Sequence, residues 1–140
     1  MPAIYEHYCT VKASDIDLLG HVNNLIYLSW MIDAAVAHSR AQGWSQKEYQ
    51  QHGAGWVVRS HKIEYLQPAF MDNEVVVRTW VSDFRRIRST RQYRIERRAD
   101  GVLLAESHTD WVWVSYKTWQ PCRIPEEVIQ SFEIVPHYGQ

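Results

Sequence analysis

Residues 25–42 read LIYLSWMIDAAVAHSRAQ, a helical run whose apolar positions cover almost the whole circumference. A helix on the outside of a globular domain shows one apolar stripe, whereas one that is apolar on nearly every side must be enclosed by other structure. Ser29, Asp33 and His38 interrupt the run, and it falls short of the roughly 20 apolar residues that cross a bilayer. A central helix wrapped by a curved sheet is the arrangement that remains. Asn23 or Asn24 can cap its start, and Gly43 supplies the stop.

The rest of the chain supplies that sheet. Residues 5–11, 56–65, 74–83, 89–97 and 102–116 read as strands, with Pro68 stopping the second and Val75-Val76-Val77 giving the third a β-branched run. Asp100-Gly101 suits the positive backbone angles of a hairpin turn between the last two. Residues 53–55, Gly-Ala-Gly, read as a loop entering a strand, and Pro125-Glu126-Glu127 opens a short helix that reaches about residue 131. One long helix and a five-stranded antiparallel sheet make an α+β layout, expected as a single domain over residues 1–140.

Seven Trp and eight Tyr supply more flat apolar surface than a monomer of this length easily hides, which favours an oligomer; an aromatic-rich core is the plainer alternative. The net charge of -1 gives no global attraction to nucleic acid or to an anionic membrane. Cys9 and Cys122 form no CxxC pair, and the opening Met-Pro-Ala-Ile-Tyr-Glu-His lacks the basic and apolar regions of a signal peptide. A cytoplasmic protein with free thiols is therefore expected.

Directly ahead of the helix, residues 15–24 read DIDLLGHVNN: two carboxylates, a glycine turn, a histidine and two capping amides. A carboxylate there can serve as base or nucleophile, and the unbonded N–H groups of the first helical turn can stabilise an oxygen that gains negative charge. Acyl transfer is the chemistry this suits. Asp15, Asp17 and Gly20 also match positions one, three and six of a calcium-binding EF-hand loop, but Leu19 and Ile26 stand where that loop needs oxygen ligands. Asp15 reads instead as a turn stabiliser. His21 can orient Asp17, hold a water or donate to a leaving thiolate, and it can equally be a structural hydrogen-bonder. Tyr27, Trp30 and Met31 line an acyl pocket or join the core. No HxxxH, GxSxG or cysteine-nucleophile pattern is present, so neither a metal nor a redox cofactor is expected.

The order strand, DxDxxGHVNN, buried helix and four strands, with Tyr65-Leu66-Gln67-Pro68 closing the second strand, resembles the hot-dog fold thioesterases. In particular it is similar to acyl-CoA thioesterases of the 4-hydroxybenzoyl-CoA thioesterase type, from about Tyr5 through Arg123-Ile124-Pro125. The resemblance implies a homodimer, or two dimers paired into a tetramer, with sheets joined edge to edge and active sites between subunits. It implies Asp17 as the catalytic carboxylate and a backbone N–H near Asn24 as the donor to the thioester oxygen. The implied substrate is an acyl-CoA, with coenzyme A part of the substrate rather than a cofactor; acyl carrier protein is an alternative donor. Two rival readings are a hot-dog hydratase, with Asp17 and His21 handling protons around an enoyl thioester, and a non-catalytic module that binds an acyl thioester or nucleic acid.

One segment is strongly basic: Arg85, Arg86, Arg88, Arg91, Arg94, Arg97 and Arg98. Arginine forks match phosphate oxygens, and the resemblance places Arg85, Arg86, Arg88 and Ser89 near the nucleotide of coenzyme A. Arg91 and Arg97 share one strand face while Arg88, Arg94 and Arg98 share the other, so at least one set is expected in solvent.

Overall fold

Along β4 (Arg88–Arg97) buried and half-buried residues alternate, with Ser89, Arg91, Tyr93 and Ile95 on the covered face. That period of two marks a strand with one face against a core. β4 is the middle of a five-stranded antiparallel sheet ordered β1-β3-β4-β5-β2, in which β1 is Tyr5–Thr10, β2 Ala54–Tyr65, β3 Glu74–Arg85 and β5 Leu103–Ser115. The computed structural model describes residues 3–138. Met1 and Pro2, which entered the signal-peptide argument, lie outside the described residues, as do Gly139 and Gln140. No helix among the described residues is long and apolar enough to cross a membrane.

The long helix, α1 (Asn24–Ala41), packs on β1 and β3. Tyr27, Trp30, Met31 and Ala34 meet Val75, Val77, Tyr93, Ile95 and Leu104 in the main core. Its enclosure is only partial, which corrects the expectation of a helix covered on nearly every side. The buried positions Tyr27, Trp30, Met31, Ala34, Ala35 and His38 recur at spacings of three and four and form one stripe, while Leu25 stays 73% and Val36 49% exposed. Within this chain the sheet reaches one flank of the helix, so the other apolar flank faces outward.

Two local readings also change. Residues 53–55 are not a loop throughout: β2 starts at Ala54, because Ala54 and Gly55 pair with Ser115 and Val114 of β5. A short helix absent from the sequence reading, α2 (Gln46–His52), follows α1. Its signals were present in the Ser45-to-Glu48 spacing and in Gly53: the Ser45 hydroxyl donates to Glu48 Oε1 at 2.6 Å, and Gly53 ends the helix at φ 79°. The expected C-terminal helix, α3 (Glu126–Gln130), begins after Pro125. α2 and α3 cover a second cluster in which Trp113, Ile124 and Val128 are buried among Trp44, Tyr49, Trp56 and Phe84.

The sheet has two distinct ends. At one, the Tyr65 hydroxyl donates to the Asn24 carbonyl at 3.1 Å, which ties the end of β2 to the start of α1. At the other lies the β3–β4 turn, where Arg85 pairs with Arg88, Arg88 with Val112, and Val112 with Val57. A strand the length of β4 separates these ends by roughly 30 Å.

Candidate active site

Asp17 sits in a loop closed by its own main chain. The Asp17 N–H donates to the His21 carbonyl (3.0 Å), the Gly20 N–H to the Asp17 carbonyl (3.1 Å), and the Asn23 N–H to the Asp15 carbonyl (2.9 Å). Gly20 makes the turn at φ 85°, a left-handed conformation that residues with a Cβ seldom adopt. The buried Val22 anchors the loop by donating to the Ala69 carbonyl at 2.9 Å. Asp15 behaves as a turn stabiliser, its Oδ2 accepting from the Lys12 N–H at 2.9 Å.

The Asp17 side chain remains 27% exposed. Its Oδ1 accepts from the Leu19 N–H at 2.9 Å, while Oδ2 lies 3.9 Å from His21 Nδ1, too far for a direct hydrogen bond. Leu18 and Leu19 project into solvent beside it. At the start of α1 the cap is Asn23, not Asn24: its Oδ1 accepts from the Leu25 N–H and its carbonyl from the Ile26 N–H, both at 2.9 Å. The Asn24 N–H, next in line, meets no acceptor among the described residues. Tyr27 and Met31 are buried in the main core, where Tyr27 meets the rings of Trp30 and Tyr65 edge-on; burial pushes its phenol pKa up.

The residues expected at the nucleotide are distributed over three settings. Arg85 and Arg86 join Arg123 around a hollow with Phe84, Ile124 and Ile129, and the Ile124 N–H donates to the Arg86 carbonyl at 2.9 Å. Arg88 lies on the less buried face of β4. Ser89 is buried, its hydroxyl donating to the Asp83 carbonyl at 3.0 Å, and it lines a different cavity. Of the alternating arginines, Arg94 pairs with Glu96 and Glu106, and Arg98 with Glu74. Arg91, on the other face, is buried.

That second cavity, of about 290 Å³, lies between the C-terminal half of α1, α2 and the sheet. Trp44, Tyr49, Trp56, Phe84, Trp111 and Phe132 give its wall an aromatic character. Sequence reasoning did not find it, because its lining comes from segments far apart along the chain. The one local clue was parity, which places Arg91 with Ser89 and Tyr93 on the face that turned out to be covered.

A family model described as the thioesterase-like superfamily matches residues 11–132. The chain belongs to that superfamily. Its hot-dog fold recurs in a 1,4-dihydroxy-2-naphthoyl-CoA thioesterase, Slr0204 of Synechocystis, with a TM-score of 0.84 at 17% identity over 91% of this chain and 94% of that one. It recurs also in SAV2348 of Staphylococcus aureus, solved in complex with CoA, with a TM-score of 0.86 at 18% identity over 91% and 80% of the two chains. In sequence the chain is similar to the chloroplastic acyl-[acyl-carrier-protein] hydrolase FATB3 of Cuphea viscosissima, 31% identical over 83 residues, or 59% of this chain. Those residues span 20% of that relative's length.

Proposed function

We propose that this thioesterase-superfamily member hydrolyses an acyl-CoA thioester to a free carboxylic acid and coenzyme A. One observation carries the reading: a partly exposed carboxylate, Asp17, shares a pinned loop with a helix-start N–H, that of Asn24, which has no acceptor among the described residues. As the thioester carbon becomes tetrahedral its oxygen gains negative charge, and a fixed N–H at the positive end of α1 stabilises it. Asp17 either attacks that carbon, giving a mixed anhydride that water then opens, or takes a proton from the water that attacks. In both routes the C–S bond breaks, the thiolate leaves and a proton derived from water completes coenzyme A. His21, with Nδ1 3.9 Å from Asp17 Oδ2, supports the carboxylate as a neighbouring imidazole. The reaction needs no metal or redox cofactor.

The reading includes a homodimer. β2 is an edge strand with Val57 and Val58 exposed, and two copies joined antiparallel along it bring the Ala54 end of one beside the Tyr65 end of the other. Because Tyr65 is tied to Asn24, Asp17 of each copy then faces the β3–β4 turn and aromatic cavity of its partner, groups that stand at the far end of its own sheet. Arg85, Arg86 and Arg123 thereby reach the coenzyme phosphates, or the acidic surface of an acyl carrier protein if that is the donor.

Thiol release from a panel of short, long and aromatic acyl-CoAs tests the chemistry. Release that is abolished by Asp17→Asn is the expected result; no release from any substrate, or a full rate in the variant, refutes it. Sedimentation should give twice the 16.5 kDa chain mass, and a monomer that retains activity rejects the shared site.

A further inference from the structure

Arg91 is only 6% exposed, yet among the described residues it meets no carboxylate. Its neighbours on the sheet are treated differently: Arg78 pairs with Glu6 and Glu96, Arg94 with Glu96 and Glu106, and Arg97 forks onto Asp100. One of the Arg91 amino groups, Nη1, is occupied by His38 Nδ1 at 2.9 Å and Thr79 Oγ1 at 3.1 Å. Because a guanidinium only donates, both atoms accept, and the Thr79 hydroxyl passes its own proton on to the Gln92 carbonyl at 2.9 Å. These contacts orient the fork without neutralising it, and Nε and Nη2 have no hydrogen-bond partner among the described residues.

The fork belongs to the wall of the 290 Å³ cavity, whose lining includes a second arginine, Arg40, and, among the described residues, no aspartate or glutamate. The Phe132 ring, 5.8 Å from the guanidinium carbon, offers it a π face but no counter-charge. An ion buried without an opposite charge is costly, and a purely structural role in an aromatic pocket does not explain it, since an apolar side chain of like volume would fill the same space. A ligand that brings an opposite charge to this fork offsets that cost. The aromatic walls select an apolar body, and a planar carboxylate is the anion that a guanidinium fork matches with two parallel hydrogen bonds.

We propose that this cavity receives the acyl group and that Arg91 binds a carboxylate at its far end, so that the preferred substrates are thioesters of dicarboxylic acids. The inference rests on the thioesterase reading for the reaction, while the anion-binding pocket stands apart from it. The volume lies just under the roughly 300–1,000 Å³ typical of ligand pockets, which suits a chain of short to medium length. Arg91 is here a specificity residue and takes no part in bond making at the thioester.

Two measurements separate the pocket from the chemistry. In the first, kcat/KM is compared for suberyl-CoA, an eight-carbon acyl group ending in a carboxylate, and octanoyl-CoA, its plain counterpart. A preference of about 100-fold for suberyl-CoA is expected, falling to near parity in Arg91→Met while octanoyl-CoA hydrolysis persists, with partial return of the preference in Arg91→Lys. Equal or faster hydrolysis of octanoyl-CoA by the unaltered protein overturns the proposal and leaves the thioesterase reading intact, as does a variant that loses both substrates in equal proportion. In the second, calorimetry compares octanoate with 1-octanol on the unaltered protein and on Arg91→Met. Tighter octanoate binding that depends on Arg91 supports the anion pocket even if no thioester is cleaved, and equal affinities refute it.

Discussion

The two ends of α1 are built by different means. At its start, residues 15–23 close on themselves through main-chain hydrogen bonds, and the groups proposed to act, the Asp17 carboxylate and the Asn24 N–H, lie within one short stretch of chain. At its finish, the cavity around Arg91 is walled by side chains from α1, α2, four strands and the segment after α3. The first end is exposed, with the Asp17 carboxylate beside the solvent-facing Leu18 and Leu19, and the second is an aromatic cleft. If the proposed roles hold, chemistry and recognition are separable in this fold: changes at the helix start should alter the rate on every substrate, whereas changes at the far end should alter stability or choice of substrate.

The sharpest test of that separation is Asp17→Asn. The amide keeps an oxygen to accept from the Leu19 N–H, so the loop should hold its shape. The expected result is a kcat lowered by about 100- to 10,000-fold on all substrates, with an unchanged melting temperature. A loss confined to one acyl class would break the comparison. At the other end, Trp113 is fully buried and its indole meets the rings of Tyr49, His52 and Trp56. Trp113→Ala should cost about 3–5 kcal/mol in chemical denaturation. If the loss were under about 1 kcal/mol, Trp113 would not be the packed support behind the cavity residues Tyr49 and Trp56.

A smaller effect sharpens the contrast from the first end. Asn23→Ala removes the acceptor of the Leu25 N–H, and loss of such a cap costs about 1 kcal/mol of stability. The same change frees the turn that presents the Asn24 N–H, so kcat should fall by more than KM rises. A variant in which only KM changes would detach the helix start from the transition state.

How far each end was legible follows from the same contrast. The motif, its cap and its glycine turn are local in sequence, and the main-chain bonds that shape them depend on the residue types quoted there, so Asp17, Gly20 and Asn23 occupy the loop, turn and cap expected of them. The sheet was legible too, since β4 alternates and Val75-Val76-Val77 marks β3. The apolar helix misled in one respect: composition shows that a side chain prefers burial, not whether its own chain supplies the cover, and Leu25 and Val36 are left outside. The cavity was illegible because Trp56, Arg91, Trp111 and Phe132 become neighbours only when strand register is fixed. Arg91 was visible as one of a row of arginines, and what sets it apart, burial with no carboxylate partner among the described residues, is decided by the fold.

The finest probe of the helix-start end is the thiol of Cys9, which burial, together with the nearby carboxylates of Asp15 and Asp33, raises from 9.0 to about 11. Burial disfavours the thiolate, and each negative charge disfavours it further. Alkylation of the folded protein should therefore remain slow at pH 9, where an unfolded chain reacts readily, and should accelerate only as the pH approaches 11. The sign for stability follows: the folded state binds this proton more tightly than the unfolded state, so the contribution is complete below pH 9 and is lost as the pH rises through about 11. Asp15→Asn removes one of the two charges and should move the alkylation profile to lower pH, with a smaller shift than unfolding produces. If the profile does not move, the field at this end does not reach from Asp15 to Cys9, and the loop that holds Asp17 is screened more strongly by solvent than its closed main chain implies.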